Sequence, residues 1–180
     1  RFEIMSHVKF PYHPNIYQLE FGPIERNQDG LVCQVCGCVP DLYLDSMYAT
    51  EEIDCLCLEC VASGAAADKF DGDYIQDAES EMVSDPDRVK NFFRTTPGYS
   101  SWQGEYWLAC CDDFCNFIDH VGMDELNQMP EKEAILADYE LSDGFDRDIL
   151  EECLSRDGDM AGYLFQCRHC GKYRLHVDES

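Results

Sequence analysis

The chain has 180 residues, 45% apolar and 12% aromatic, with 37 carboxylates against 13 lysines and arginines for a net charge of −24. That length and composition support a genuine hydrophobic core, while the charge argues against nucleic-acid binding, because that affinity is largely built from Lys and Arg neutralising phosphates. It also disfavours anionic membranes, and no run of about eighteen apolar residues exists to span one.

Residues 1–30 read as extended or irregular, closed by the turn signal NQDG at 27–30. Leu42–Leu44 reads as a strand, and the alanine-rich VASGAAADKF after Cys60 as the start of a helix. DGDY at 71–74 lacks the spacing of a calcium loop and reads as a turn. SDPDRVKNFF at 84–93 opens with a Ser/Asp–Pro–Asp helix start. In CCDDFCNFIDHVG, Phe114, Phe117, Ile118 and Val121 fall at helical spacing, which predicts a helix. Residues 131–154 read as one or two helices with acidic outer faces. YLFQC and KYRLHVD read as two strands of a hairpin tipped by CRHCGK. Helices and strands without regular alternation indicate an α+β fold, read as a single domain over 1–180.

The twelve cysteines carry the strongest signal. Three C-x-x-C pairs stand out: Cys33/Cys36, Cys57/Cys60 and Cys167/Cys170. Two of them, CQVCG and CRHCG, are followed by glycine, as a metal knuckle needs where the backbone takes a positive φ. Cys33, Cys36, Cys57 and Cys60 form C-x2-C-x20-C-x2-C, which predicts a structural zinc held by four thiolates in a treble-clef-like module over about 30–70. Cys167 and Cys170 need two more ligands. Cys111 and Cys115, one helical turn apart, are the choice for a second structural zinc joining 110–115 to a zinc-ribbon-like C-terminal β-hairpin knuckle at 163–178. Cys110 competes with Cys111, and His120, His169 and His176 are substitutes. Cys38, Cys55 and Cys153 read as ordinary small buried residues.

Closed tetrathiolate sites are poor Lewis acids, and neither the deaminase nor the H-E-x-x-H pattern is present. No Ser-His-Asp set or phosphate-cradling loop stands out, so the chain does not read as an enzyme. Trp102, Tyr106 and Trp107, beside Gln103 and Glu105, read as packing residues, with a groove lining as the alternative. His13 reads as a structural histidine. Adjacent and near-adjacent cysteines leave no unique disulfide pairing, so a reducing, cytoplasmic setting is expected. No signal segment opens the chain, whose first residue, Arg1, indicates a trimmed start.

FPYHP (10–14), CQVCG (33–37), CLECVASGAAADKFDGDY (57–74), TPGYSSWQGEYWL (96–108), CCDDFCNFIDHVG (110–122) and YLFQCRHCGKYRLHVD (163–178) together resemble the CbrC family of colicin-tolerance proteins over nearly the whole chain. Pro11 stands where those relatives show Lys, Ser101 where they show Gly, and Cys110 where they show His. The last departure leaves open which of Cys110 and Cys111 is the ligand. The resemblance implies an association with tolerance to bacterial toxins and no established activity.

A net charge of magnitude about 5 to 8 already serves solubility, so −24 points to steering toward a basic partner. The expected function is an immunity protein that occludes a basic protein toxin, a nuclease, with no direct nucleic-acid contact. The expected interface carboxylates are Asp71, Asp73, Asp77, Glu79, Glu81, Asp138, Glu140, Asp143 and Asp146. The alternatives are a zinc-binding regulatory or stress-tolerance protein acting on a host partner, and a metalloenzyme.

Overall fold

The computed structural model describes residues 8–142 and 144–180. Its first lobe is a small antiparallel sheet of β1 (Glu25–Arg26), β2 (Leu42–Leu44) and β3 (Leu56–Cys57), in that order. In β2 the alternation is legible, with Leu42 and Leu44 buried and Tyr43 between them half exposed. The expected helix after Cys60 is two short ones, α1 (Leu58–Ala62) and α2 (Ala65–Phe70). They divide at Gly64, whose φ of +81° starts the second. Val61, Ala66 and Phe70 bury against Phe10, Ile16, Leu42 and Leu44.

The next segment builds an aromatic core. β4 (Asp77–Ala78) leads through a 3-10 turn at Ser80–Met82 to α3 (Pro86–Thr95). Asp85 caps α3 by accepting from the backbone N–H of Asp87 and Arg88, with Pro86 at the first helical position. β5 (Tyr106–Trp107) pairs parallel with β4. Phe92 stacks on Phe114 at 3.8 Å, Tyr99 on Phe117 at 4.5 Å, and the fully buried Trp107 donates Nε1–H to the Cys115 carbonyl at 2.8 Å.

The expected helix over 110–121 is absent. A hairpin of β6 (Ala109–Cys110) and β7 (Asp113–Phe114) stands there, followed by β8 (Asn116–Val121). Cys111 and Asp112, at φ +55° and +61°, form its two-residue turn, as tight hairpins require. An irregularity in the β8 pairing between Phe117 and Asp119 breaks the two-residue alternation and produces the three- and four-residue spacings that imitate a helix.

The remaining chain is a helical layer and a sheet: α4 (Met123–Asn127), α5 (Lys132–Tyr139), α6 (Arg147–Cys153), β9 (Met160–Gln166) and β10 (Tyr173–Glu179). The sheet order is β10–β9–β8, all antiparallel. Central strand β9 is buried on both faces. Ala161, Tyr163 and Phe165 enter the aromatic core, whereas Met160 and Leu164 meet Ile135, Leu136, Tyr139 and Leu150 of the helices. The acidic outer faces of α5 and α6 follow from this packing.

Phe92→Ala is expected to cost about 3–5 kcal/mol, because it removes the centre of the aromatic stack. Leu141→Ala, at an exposed position, should cost no more than about 0.5 kcal/mol. Urea denaturation of metal-replete protein measures both.

Candidate metal centres

Both C-x-x-C-G segments fold into the same turn. In the first, Cys33 N–H donates to the Cys38 carbonyl at 2.7 Å and Gly37 N–H to the Cys33 carbonyl at 3.0 Å. In the second, Cys167 N–H donates to the Lys172 carbonyl at 2.8 Å and Gly171 N–H to the Cys167 carbonyl at 3.1 Å. Gly37 and Gly171 both take positive φ, +76° and +74°, where a side chain would be strained. The turns aim backbone N–H groups at sulfur. Cys33 Sγ accepts from Val35 and Cys57, and Cys167 Sγ from His169 and Cys170, at 3.3–3.5 Å.

Two tetrads result. The Sγ atoms of Cys33, Cys36, Cys57 and Cys60 all lie within 4.8 Å of one another, as do those of Cys110, Cys111, Cys167 and Cys170. In the first, Cys57 ends β3 and Cys60 sits in the opening turn of α1, so one chain reversal supplies both. In the second, the β6–β7 turn faces the β9–β10 turn. A tetrahedral tetrathiolate with bonds of about 2.3 Å requires sulfur–sulfur edges of about 3.8 Å. Cys36–Cys57, Cys110–Cys111 and Cys110–Cys170 lie at 3.7, 3.7 and 3.8 Å. The donor sets therefore fit two metal ions, and all twelve cysteines are free thiols.

The second tetrad differs from the expected one. Cys115 is fully buried in the aromatic core, and burial pushes its thiol up to about 12. Its sulfur is not among the four that lie within 4.8 Å of one another, and Cys110 takes its place beside Cys111, Cys167 and Cys170. None of the three histidines substitutes. His120 Nε2 lies 2.6 Å from the Ser100 carbonyl, His169 Nε2 2.9 Å from Asp113 Oδ2, and His176 stacks on Tyr163. Cys55 is buried as expected, whereas Cys38 and Cys153 are exposed. Cys38 lies beside the first tetrad, its Sγ 3.4 Å from Cys36 Sγ.

Thiol acidity is divided within each tetrad. Backbone N–H of Cys38 and neighbouring thiols bring Cys36 down to about 6. At Cys167 burial opposes ionisation, but N–H groups of Cys170 and His169 outweigh it and bring the thiol to about 6. Burial raises Cys57 to about 12, and burial with adjacent thiols raises Cys60 and Cys110. Cys33 and Cys36 in the first tetrad and Cys167 in the second are lowered while Cys57, Cys60 and Cys110 are held up, a conflict that a bound cation removes. Burial raises the hydroxyl of Tyr74, which has no hydrogen-bond partner, and the neighbouring Cys60, Cys33 and Cys57 add to the rise.

Beside the second tetrad, Arg174 donates to the Ala109 carbonyl at 2.6 Å, to Glu79 through both terminal nitrogens, and to Asp138 Oδ2 at 3.2 Å. Lys172 adds a second bond to Asp138 at 2.5 Å. Glu79 and Asp138 side chains are only 14% and 13% exposed. Both expected interface carboxylates are thus committed inside the molecule. His13, also buried, lies 3.1 Å from the Gly98 carbonyl, and burial lowers it to about 3, so it stays neutral as a structural residue. Asp71, Asp77, Glu81, Glu140 and Asp146 are exposed, Asp73 is half-buried, and Asp143 lies outside the described residues.

These features define a mixed α+β protein with two four-cysteine sites able to hold metal. The chain belongs to the uncharacterised protein family UPF0167, whose match spans residues 8–179. It is 32% identical over 177 residues to a UPF0167 protein of Pseudomonas aeruginosa, covering 94% of this chain and 95% of that one. UPF0167 proteins of Mycobacterium bovis and Mycobacterium tuberculosis are 31% identical over 185 residues, covering 94% of this chain and 92% of each relative. No solved structure matches the chain.

Metal analysis after purification should give two ions per chain. Cys110→Ser should lose one of them and Cys115→Ser should keep both, the reverse of what a helix over 110–121 would produce.

Proposed function

We propose that this chain is a zinc-stabilised immunity protein of CbrC type, which occludes the active site of a basic bacterial toxin, a nuclease, without catalysing any reaction. The observation that carries this reading is the uneven fate of the charges. Arg88, Arg94, Arg147, Arg156, Arg168, Lys172 and Arg174 are all held in ion pairs. Exposed carboxylates remain in surplus. Glu133, Glu140 and Glu151 all converge on the single guanidinium of Arg147, at 2.7, 3.6 and 3.8 Å. Such a surface attracts Lys and Arg clusters that bind phosphate, and steers them at rates that fall with salt.

Zinc suits the all-thiolate donor sets. Four protein ligands per ion leave no open position for a substrate or water, which supports a structural role. The first tetrad, a knuckle followed by a cysteine pair at a helix start, is read as treble-clef-like, and the second as ribbon-like. Twelve reduced thiols suit a reducing cytoplasm. Among the described residues no helix is long and apolar enough to cross a membrane.

The direct test is co-expression with a basic toxin encoded beside the gene, followed by affinity capture and a survival assay. Protection and a complex that weakens with salt are expected; absence of both sinks the reading. Replacing Asp71, Asp77 and Glu81 by their amides should slow association about tenfold at low salt. The equivalent change at Glu140 and Asp146 shows whether the second acidic face contributes.

A further inference from the structure

We infer that the cleft between the first lobe and the 98–105 loop is a binding site for an alkylguanidinium or primary alkylammonium group. The cleft holds about 690 Å³ and is walled by the first sheet on one side and residues 98–105 on the other. Its charged lining residues are Glu25, Asp45 and Glu105, and among the described residues no lysine, arginine or histidine lines it. An anion is therefore repelled and a cation attracted.

The polar groups are held in place before any ligand arrives. Glu105 Oε2 accepts from Tyr48 Oη at 2.6 Å and from Gln76 N–H at 3.3 Å. Two glycines make room for these side chains. A Cβ on Gly98 would lie 2.0 Å from Glu105 Oε1, and one on Gly104 would lie 1.7 Å from Gln76 Oε1. The loop itself is pinned to the C-terminal sheet side. Trp102 Nε1–H donates to the Gly158 carbonyl at 3.0 Å, Gln103 N–H to Asp178 Oδ2 at 2.9 Å, and Gln103 Nε2–H to the Glu179 carbonyl at 2.9 Å.

Two large aromatics line the cleft and stay open to solvent, Trp102 at 53% and Tyr48, bonded to this carboxylate, at 48% exposure. A carboxylate and an amide oxygen beside exposed aromatic faces complement a cation with N–H donors. Charge-assisted hydrogen bonds fix its head and ring faces receive its charge. Burial raises the Glu105 carboxyl above the usual range, and an adjacent cation would offset that cost. A free small molecule or an Arg or Lys side chain of a protein partner could supply the group. The site stands apart from the interface proposed above, because none of that interface's carboxylates lines the cleft.

The test is fluorescence titration at constant ionic strength. Trp102 reports on the cleft, while buried Trp107 gives a constant background. Ethylguanidinium and n-butylammonium are the free probes, and acetyl-Gly-Arg-Gly-amide presents the group as a side chain. Acetate is the control. Saturable quenching by the cations with a Kd below about 10 mM is expected. Tighter binding of the peptide would assign the site to a partner's side chain, and tighter binding of the free probes to a small molecule.

Glu105→Gln should weaken binding about tenfold and Tyr48→Phe about threefold. Glu152→Gln, which removes one exposed charge far along the chain, should change nothing. Circular dichroism establishes that each variant is folded. No saturation, equal response to acetate, or equal weakening by Glu152→Gln would overturn the assignment. Toxin protection in cells is read separately, so failure of either idea leaves the other standing.

Discussion

Four cysteine sulfurs within 4.8 Å of one another, twice in one chain, set the condition on which this architecture rests. Thiolates at that separation repel, and burial disfavours their charge, so without a cation most of the sulfurs must stay protonated. With a cation the same crowding becomes attraction, and binding energy becomes folding energy. The two turns that present these sulfurs share one hydrogen-bond pattern and one positive-φ glycine. The second tetrad joins turns whose Cys110 and Cys170 stand 60 residues apart in the chain, so the β6–β7 hairpin and the tip of β9–β10 are fixed relative to each other.

Arg174 extends that junction. Its guanidinium sits among Glu79, Asp138 and the Ala109 carbonyl, adjacent to Cys110, and its charge is reinforced by both carboxylates although burial opposes it. Breaking one partner would leave a half-buried charge exposed to its own desolvation cost. In a chain with so few cations, their use in internal pairs leaves the outer faces of α5, α6 and the 71–87 segment negative. The carboxylates of these stretches are thus divided by the fold into structural ones, such as Glu79 and Asp138, and surface ones.

Alternation and punctuation made much of this legible. The β2 leucines, the Asp85–Pro86 helix start and the C-terminal hairpin all form where their local signals lie. The helix expected over 110–121 failed because a bulged strand and a tight hairpin give apolar spacings that a single sequence cannot distinguish from helical ones. The error carried through to Cys115, whose place at the metal depended on that helix. Trp102 and Glu105 were legible as a turn-rich aromatic segment. That Glu105 meets Tyr48 and Gln76 depends on partners 57 and 29 residues away.

The sequence by itself determined that this is an α+β chain with two cysteine-rich centres, because C-x-x-C-G turns are local and their chemistry travels with their spacing. It also determined an acidic surface, since so many carboxylates cannot be buried. Only the tertiary structure decided that Cys110 and not Cys115 completes the second tetrad, that Glu79 and Asp138 serve Arg174, and that a carboxylate cleft opens beside Trp102. Those outcomes rest on contacts between segments far apart in the chain, which strand register and packing select and no local pattern records.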